Sequence, residues 1–221
     1  MSEQPERAEK LWELERACLA EGYSVLCGVD EAGAGPLAGD VYAGAVILPV
    51  GWTAPYLDDS KKVTPKRREV LSETIKREAV CWAVGTASVE EIDRLDILNC
   101  RMLAMNRAIA ALSVKPELAL VDGNRDHGSS IAIEIPSRTY VHGDGRSASI
   151  AAASILAKVA RDHYMVEMSK LYPEYGFEKH KGYGTRAHYE AIRKYGPCPI
   201  HRKTFLKNLE GKEWGSGAEN P

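Results

Sequence analysis

Asp30 and Glu31 stand side by side at the end of the apolar run Tyr23-Ser24-Val25-Leu26-Cys27-Gly28-Val29, just before the glycine-dense segment Gly33-Ala34-Gly35-Pro36-Leu37-Ala38-Gly39. Charge delivered by a buried strand is costly unless something pairs with it, and the adjacent sequence offers no Lys or Arg. A divalent cation is the simplest partner, because hard cations take oxygen ligands and Asp and Glu supply them. The arrangement recurs: Asp122 follows Leu118-Ala119-Leu120-Val121, and Asp144 follows Tyr140-Val141-His142-Gly143. Ligand sites in α/β sheets collect at the carboxyl ends of strands, which gives these acids a place to converge. Without a cation, clustered carboxylates raise one another's pKa. With two Mg²⁺ ions ~3.5–4 Å apart they form a clamp for in-line phosphoryl chemistry. Each Asp-Gly pair taken singly is also ordinary turn chemistry. Recurrence beside Glu31 favours a site.

The elements that must hold these acids are legible in outline. Residues 6–21 carry Ala8, Leu11, Leu14, Ala17 and Cys18 at helical spacing. Residues 23–29 and 41–48 read as an antiparallel pair of strands, the second stopped by Pro49 and Gly51. Thr64 and Pro65 read as the N-cap and first position of a helix running to about Glu78. A third strand follows over 79–88, then one long helix over 90–112. Residues 117–121 make a short strand; 130–135 and 138–142 form a strand-like region split by Pro136. An Ala-rich helix covers 149–171, and a further helix 185–194. Strands first as a meander, then alternating with helices, describe a mixed α/β sheet with helices on its faces. A dinucleotide fold is disfavoured, because its glycine fingerprint needs a helix directly afterwards, whereas Val41–Leu48 is strand-like.

With 221 residues, 44% of them hydrophobic, the chain can build one well-cored domain. A net charge of −2 carries no global signature of a nucleic-acid binder, so a polyanion would be met by a local patch. Such a patch is expected from Lys179, Lys181, Arg186, Arg193, Lys194, Arg202 and Lys203, interleaved with Tyr183, Tyr189, Tyr195 and several histidines. Lys61, Lys62, Lys66, Arg67 and Arg68 form a second group, with Lys66–Arg68 read as a solvated helix face. Five scattered cysteines without Cys-x-x-Cys spacing argue against a disulfide framework or a zinc site and for reduced thiols in the cytoplasm. The acidic N-terminus is not a signal peptide, and no apolar stretch approaches the ~20 residues of a membrane span.

Taken together the motifs resemble those of type 2 ribonucleases H (ribonuclease HII). They are Val29–Gly39, Asp59-Ser60-Lys61-Lys62, Val121-Asp122-Gly123-Asn124-Arg125, Gly143-Asp144, Ser149–Asp162, His180–Thr185 and Tyr195–Arg202, in the family's order over about 23–206. The resemblance implies a ribonuclease H-like mixed five-stranded sheet flanked by helices, with a small helical C-terminal extension. The chain is then divided into an N-terminal helical extension (1–22), a catalytic domain (23–171) and a substrate-binding extension (172–221), whose Gly/Ser-rich tail from Gly211 is expected to be disordered. The implied activity is metal-dependent endonucleolytic cleavage of the RNA strand of RNA–DNA hybrids. Cleavage 5′ of single ribonucleotides in duplex DNA is implied too, placing the protein in ribonucleotide excision repair. Asp30, Glu31, Asp122 and Asp144 fall on the family's catalytic acids and would hold two Mg²⁺ or Mn²⁺ ions. Gly33, Ala34, Gly35 and Tyr183 match the residues that read the ribonucleotide 2′-hydroxyl, and Lys61 is expected near the scissile region. A cytoplasmic monomer is expected.

The chain departs from the family at Ala34, where Arg is usual, and at Asp40, Gly145 and Gly184, where Pro, Ser and Pro are usual. Ala34 leaves the main chain unaltered but removes a guanidinium, so weakened junction recognition with intact chemistry is expected; Asp40 adds charge near the site. Ser154, Lys158 and Asp162 share one helix face and are read as supporting the site or as a plain surface pair. Two rivals stay open: a nuclease of the same fold that cuts DNA junctions, and a hybrid-binding module without catalysis.

Overall fold

The computed structural model describes residues 10–58, 60, 63–123 and 128–207. Its five strands are β1 (Leu26–Ala32), β2 (Val41–Ile47), β3 (Cys81–Ala87), β4 (Leu118–Asp122) and β5 (Ser137–Tyr140), and they lie in the order β3-β2-β1-β4-β5. β1 pairs antiparallel with β2 and parallel with β4; β2–β3 is antiparallel and β4–β5 parallel. The central strand β1 is covered on both faces, which is why it reads as a continuous apolar run and not as an alternation.

Helices cover both faces of the sheet. On one side lies α5 (Ala148–Leu171), with Ala148, Ala151, Ala152, Ala153 and Ala157 all buried. A Cβ on Gly28 would sit 2.0 Å from the Ser149 carbonyl carbon, and one on Gly44 2.4 Å from the Ala153 oxygen. Small residues on both partners are therefore what lets α5 lie against β1 and β2. On the other side α3 (Val89–Leu95) and α4 (Ile97–Ala110) cover β2 and β3, burying Ile92, Met102, Met105 and Ile109. α2 (Pro65–Glu78) packs Leu71 and Ile75 beside α5. Residues after α5 form α6 (Phe177–His180), α7 (Arg186–Tyr195) and α8 (Lys203–Leu206). Their Tyr175, Phe177, Ala191 and Ile192 close a small core with Leu37, Ala38 and Met165.

Several sequence expectations change. The helix expected over 90–112 breaks at Asp96, which adopts φ +74° and caps α4 through a 2.9 Å bond from the Asn99 amide to its carboxylate. The segment 130–135 is not a strand, because side chains of α4 satisfy its backbone. Asn99 Oδ1 accepts from the amides of Ser130 and Ile131, while Asn106 binds the Ala132 carbonyl and the Glu134 amide. Thr64 precedes α2 but makes no side-chain cap. Within the helix expected over 6–21, α1 spans Glu13–Ala20, because Trp12 leaves the helix to bridge Ser147. Buried Glu15 accepts from the hydroxyls of Ser147 and Ser149 at 2.7 and 2.6 Å, tying α1 to the start of α5.

Candidate active site

Asp30 and Glu31 lie within β1, opposite Gly44 and Ala43 of β2, rather than beyond its end. Parallel pairing of Val29 with Val121 brings the next residue of each strand's edge together, so Asp122 at the end of β4 lies alongside Asp30. Asp122 Oδ1 accepts the Gly143 amide at 2.8 Å. That bond draws in the short 3-10 turn Gly143–Gly145, which carries Asp144 and is entered through His142 in the left-handed region. Asp30 and Asp144 are both only 9% exposed. Burial, then the charges of Glu31 and Asp122, and more weakly Asp144, push the Asp30 carboxyl well above its ordinary range, while the Glu31 amide at 2.7 Å opposes them. The acids that the sequence spreads over 115 positions share one electrostatic site.

Glu31 corrects the sequence reading. Arg101, one turn into α4, meets its Oε1 at 2.6 Å in a largely buried ion pair, so a cation partner does exist. The pairing is incomplete: Glu31 Oε2 and Arg101 Nε are both buried without a hydrogen-bond partner. Among the described residues no three His, Cys, Asp or Glu side chains stand close enough to cage an ion as they lie. The donor set still fits a hard divalent cation: all donors are carboxylate oxygens, one is orphaned, and one carboxyl is held against ionisation by burial and by its acidic neighbours.

Beside the acids, the loop 33–40 is clamped from beneath by two buried arginines. Arg202 donates to the carbonyls of Gly33, Ala34, Pro36 and Gly39 at 2.6–2.9 Å. Arg161 donates to Ala38 and Asp40 of the loop and, at 3.0 Å, to Lys181 of the C-terminal extension. In a planar trans peptide the N–H points opposite to the C=O. The carbonyls of Gly33 and Ala34 face Arg202, so the amides of Ala34 and Gly35 face away from it. Gly33 is required twice: its φ is +93°, and a Cβ there would meet Arg161 Nε at 2.0 Å. Tyr183 is 45% exposed, and its ring edge lies 3.9 Å from where a Gly35 Cβ would be. Gly33, Ala34, Gly35 and Tyr183 are therefore brought together; Lys61 lies outside the described residues.

The expected basic patch is thinner than the sequence implies. Arg202, His188 and His201 are interior, leaving Lys179, Arg186, Arg193, Lys194 and Lys203 exposed. Arg68 also leaves the solvated face: it is buried, donates to the Ser60 and Val63 carbonyls, and lies 3.5 Å from Asp162. Asp162 in turn binds Lys158 at 2.6 Å, and the group lines a groove of about 440 Å³ beside Lys179, Lys181 and Tyr183. Ser154 does not join them; its hydroxyl donates back to Ala151. Asp40 accepts the Val89 amide at 3.0 Å and so serves the start of α3, not the acid cluster. Sequence reasoning missed the pairing of Arg101 and the clamp made by Arg161, and it placed Arg202 in the surface patch, whereas Arg202 is buried beneath the loop. Arg161 and Arg202 sit within quoted motifs, but Arg101 carries no local signal at all.

Comparison with known proteins agrees with this architecture. The ribonuclease HII family profile matches residues 27–208. A ribonuclease HII of Caldicellulosiruptor saccharolyticus is 49% identical over 201 residues, covering 91% of this chain and 96% of that protein. The crystal structure of the ribonuclease H2 of Pyrococcus horikoshii superposes with a TM-score of 0.67 at 26% identity, covering 82% of this chain and 93% of that one. Bst-RNase HIII, solved in complex with Mn²⁺, shares the fold with a TM-score of 0.60 at 21% identity, over 79% of this chain and 64% of its own.

Proposed function

From the premise that this chain belongs to the ribonuclease HII family, and so is a metal-dependent ribonuclease H endonuclease, we propose that it cleaves 5′ of single ribonucleotides embedded in duplex DNA as well as RNA in RNA–DNA hybrids. It would leave 3′-hydroxyl and 5′-phosphate ends and act, as a cytoplasmic monomer, in removing ribonucleotides from DNA. Asp30, Glu31, Asp122 and Asp144 would hold two Mg²⁺ or Mn²⁺ ions. Bound there, the ions would lower the pKa of an attacking water and offset charge on the leaving 3′ oxygen. The observation that carries the reading is the convergence of these acids on β1, β4 and the 3-10 turn, where burial first and then the charges of Glu31, Asp122 and Asp144 hold Asp30 against ionisation.

The chain's own residues supply selection. Amides of Ala34 and Gly35, turned outward by Arg202, are positioned to bond a 2′-hydroxyl, the group that distinguishes RNA from DNA. Tyr183 beside Gly35 offers a ring face for the neighbouring sugar. Arg101 holds Glu31 through Oε1, which leaves Oε2 as the oxygen that would ligate a cation.

Ala34 bears on affinity and not on chemistry. A charged hydrogen bond contributes ~1.5–3 kcal/mol, so Ala34→Arg should lower KM for a duplex with one embedded ribonucleotide by about tenfold or more, with kcat little changed. The assay runs that duplex beside an RNA–DNA hybrid and an all-DNA control, with Mg²⁺, Mn²⁺ or chelator. Cleavage of the all-DNA control would favour a junction nuclease, binding without cleavage a passive module, and unchanged KM in Ala34→Arg would remove the role given to position 34.

A further inference from the structure

Beneath Tyr183 lies a chain of hydrogen bonds whose direction is fixed at both ends. The Cys198 amide donates to His201 Nδ1 at 2.9 Å, so that nitrogen carries the lone pair and Nε2 carries the proton. His201 Nε2 then donates to His188 Nε2 at 3.0 Å. His188 is left with its proton on Nδ1, which donates to the Tyr183 carbonyl at 2.9 Å. Reversing the chain would set a lone pair of His188 against that carbonyl and strip the Cys198 amide of its acceptor. The longer approach of His201 Nδ1 to the Cys198 carbonyl, 3.3 Å, is the weaker alternative.

We propose that His188 and His201 are positioning residues that set Tyr183 for its contact with the ribonucleotide junction. The inference rests on the reading of Tyr183 given under the proposed function. The segment they hold needs holding: Lys181 and Gly182 both have positive φ, 49° and 83°, and Tyr183 projects from them half-exposed. Both histidines are fully interior, at 0% and 1% exposure; their rings also pack against Phe177, and His201 bridges Ala38 of the loop 33–40 through its backbone. His180 stacks on His188 with ring centres 4.4 Å apart and accepts the Gly182 amide, so the same cluster fixes the residue before Tyr183 as well. Burial pushes His188 and His201 down to about 4, which keeps both rings neutral at neutral pH, as the one-way chain requires.

Two substitutions separate this role from packing. His188→Asn places an amide nitrogen where Nδ1 was and keeps the bond to Tyr183; His188→Gln places it where Nε2 was and loses that bond. On the single-ribonucleotide duplex, His188→Gln should raise KM about fivefold to tenfold, the scale of one neutral hydrogen bond, with kcat unchanged. His188→Asn should stay within about twofold of the parent, and in a Tyr183→Ala background neither change should add to KM. Equal impairment by Asn and Gln, or a full effect without Tyr183, overturns the relay. If Tyr183→Ala alone leaves KM unchanged, the reading of Tyr183 itself fails and the relay falls with it. Nitrogen-15 NMR of the unsubstituted protein needs no variant to fold. It should find the proton on Nδ1 of His188 and on Nε2 of His201, and the opposite pair of tautomers would also overturn the proposal.

Discussion

Asp122→Asn is expected to lower turnover of a single-ribonucleotide duplex on the order of a thousandfold while leaving the fold intact. The substitution removes a charge and little else. Asp122 accepts the Gly143 amide through Oδ1, and the Asn side chain keeps an acceptor oxygen in that place. The turn carrying Asp144 therefore stays anchored. What is lost is one of the acids that hold the cations, and groups that stabilise developing charge are felt at about 10²–10³ in kcat. Because the same substitution relieves repulsion on Asp30, the metal-free protein should be no less stable than the parent. Unchanged turnover, read together with unchanged thermal unfolding, would remove Asp122 from the chemistry.

The second large effect is structural and sits where no acid is. Arg202→Ala would orphan the carbonyls of Gly33, Ala34, Pro36 and Gly39, all now bound by one buried guanidinium. Each unsatisfied buried group costs about 1–3 kcal/mol, so a loss on the order of 4 kcal/mol or more is expected in urea unfolding, at the severe end for one substitution. Arg202→Lys keeps the charge but loses the planar fork, and should fall between the two. Burial and the nearby charge of Arg161 push Arg202 down to about 9, with Asp40 opposing, so the clamp stays charged at neutral pH. Any residual activity in Arg202→Lys should show a raised KM for the ribonucleotide junction, since the amides of Ala34 and Gly35 would no longer be aimed. A change of less than about 1 kcal/mol in Arg202→Ala would show that the loop holds its shape unaided.

Where the sequence was legible, period and punctuation explain why. Pro65 and the run to Glu78, the β-branched stretch Val41–Ile47 and the Ala-rich Ala148–Leu171 each carry a local signal that tertiary packing reinforces. The neighbourhood of Asp122 and Asp144 was legible because each closes an apolar run next to glycine, whereas Asp30 and Glu31 lie inside β1 and not at its end. What was not legible depended on partners distant in sequence. Asn99 and Asn106 replace strand neighbours for 130–135, a role no pattern within that segment announces. Arg101 lies seventy positions from Glu31 and is flanked by Cys100 and Met102, as any buried-face residue of α4 would be. Arg202 reads as one more cation in a basic stretch, and only the fold of Leu37 and Ala38 against the C-terminal core places it inside. Among the described residues no helix is long and apolar enough to cross a membrane.

The proposed activity requires the carboxylates of β1, β4 and the 3-10 turn to act as one cation site, with Glu31 Oε1 held by Arg101 at 2.6 Å. Crystals of the protein soaked in Mn²⁺ and measured at the manganese absorption edge test that directly. Anomalous peaks are predicted among Asp30, Glu31, Asp122 and Asp144, with Glu31 drawn toward them and the peaks weakened or absent in Asp122→Asn. Cleavage-competent protein with manganese bound elsewhere, or with no ordered manganese between these side chains, would contradict it.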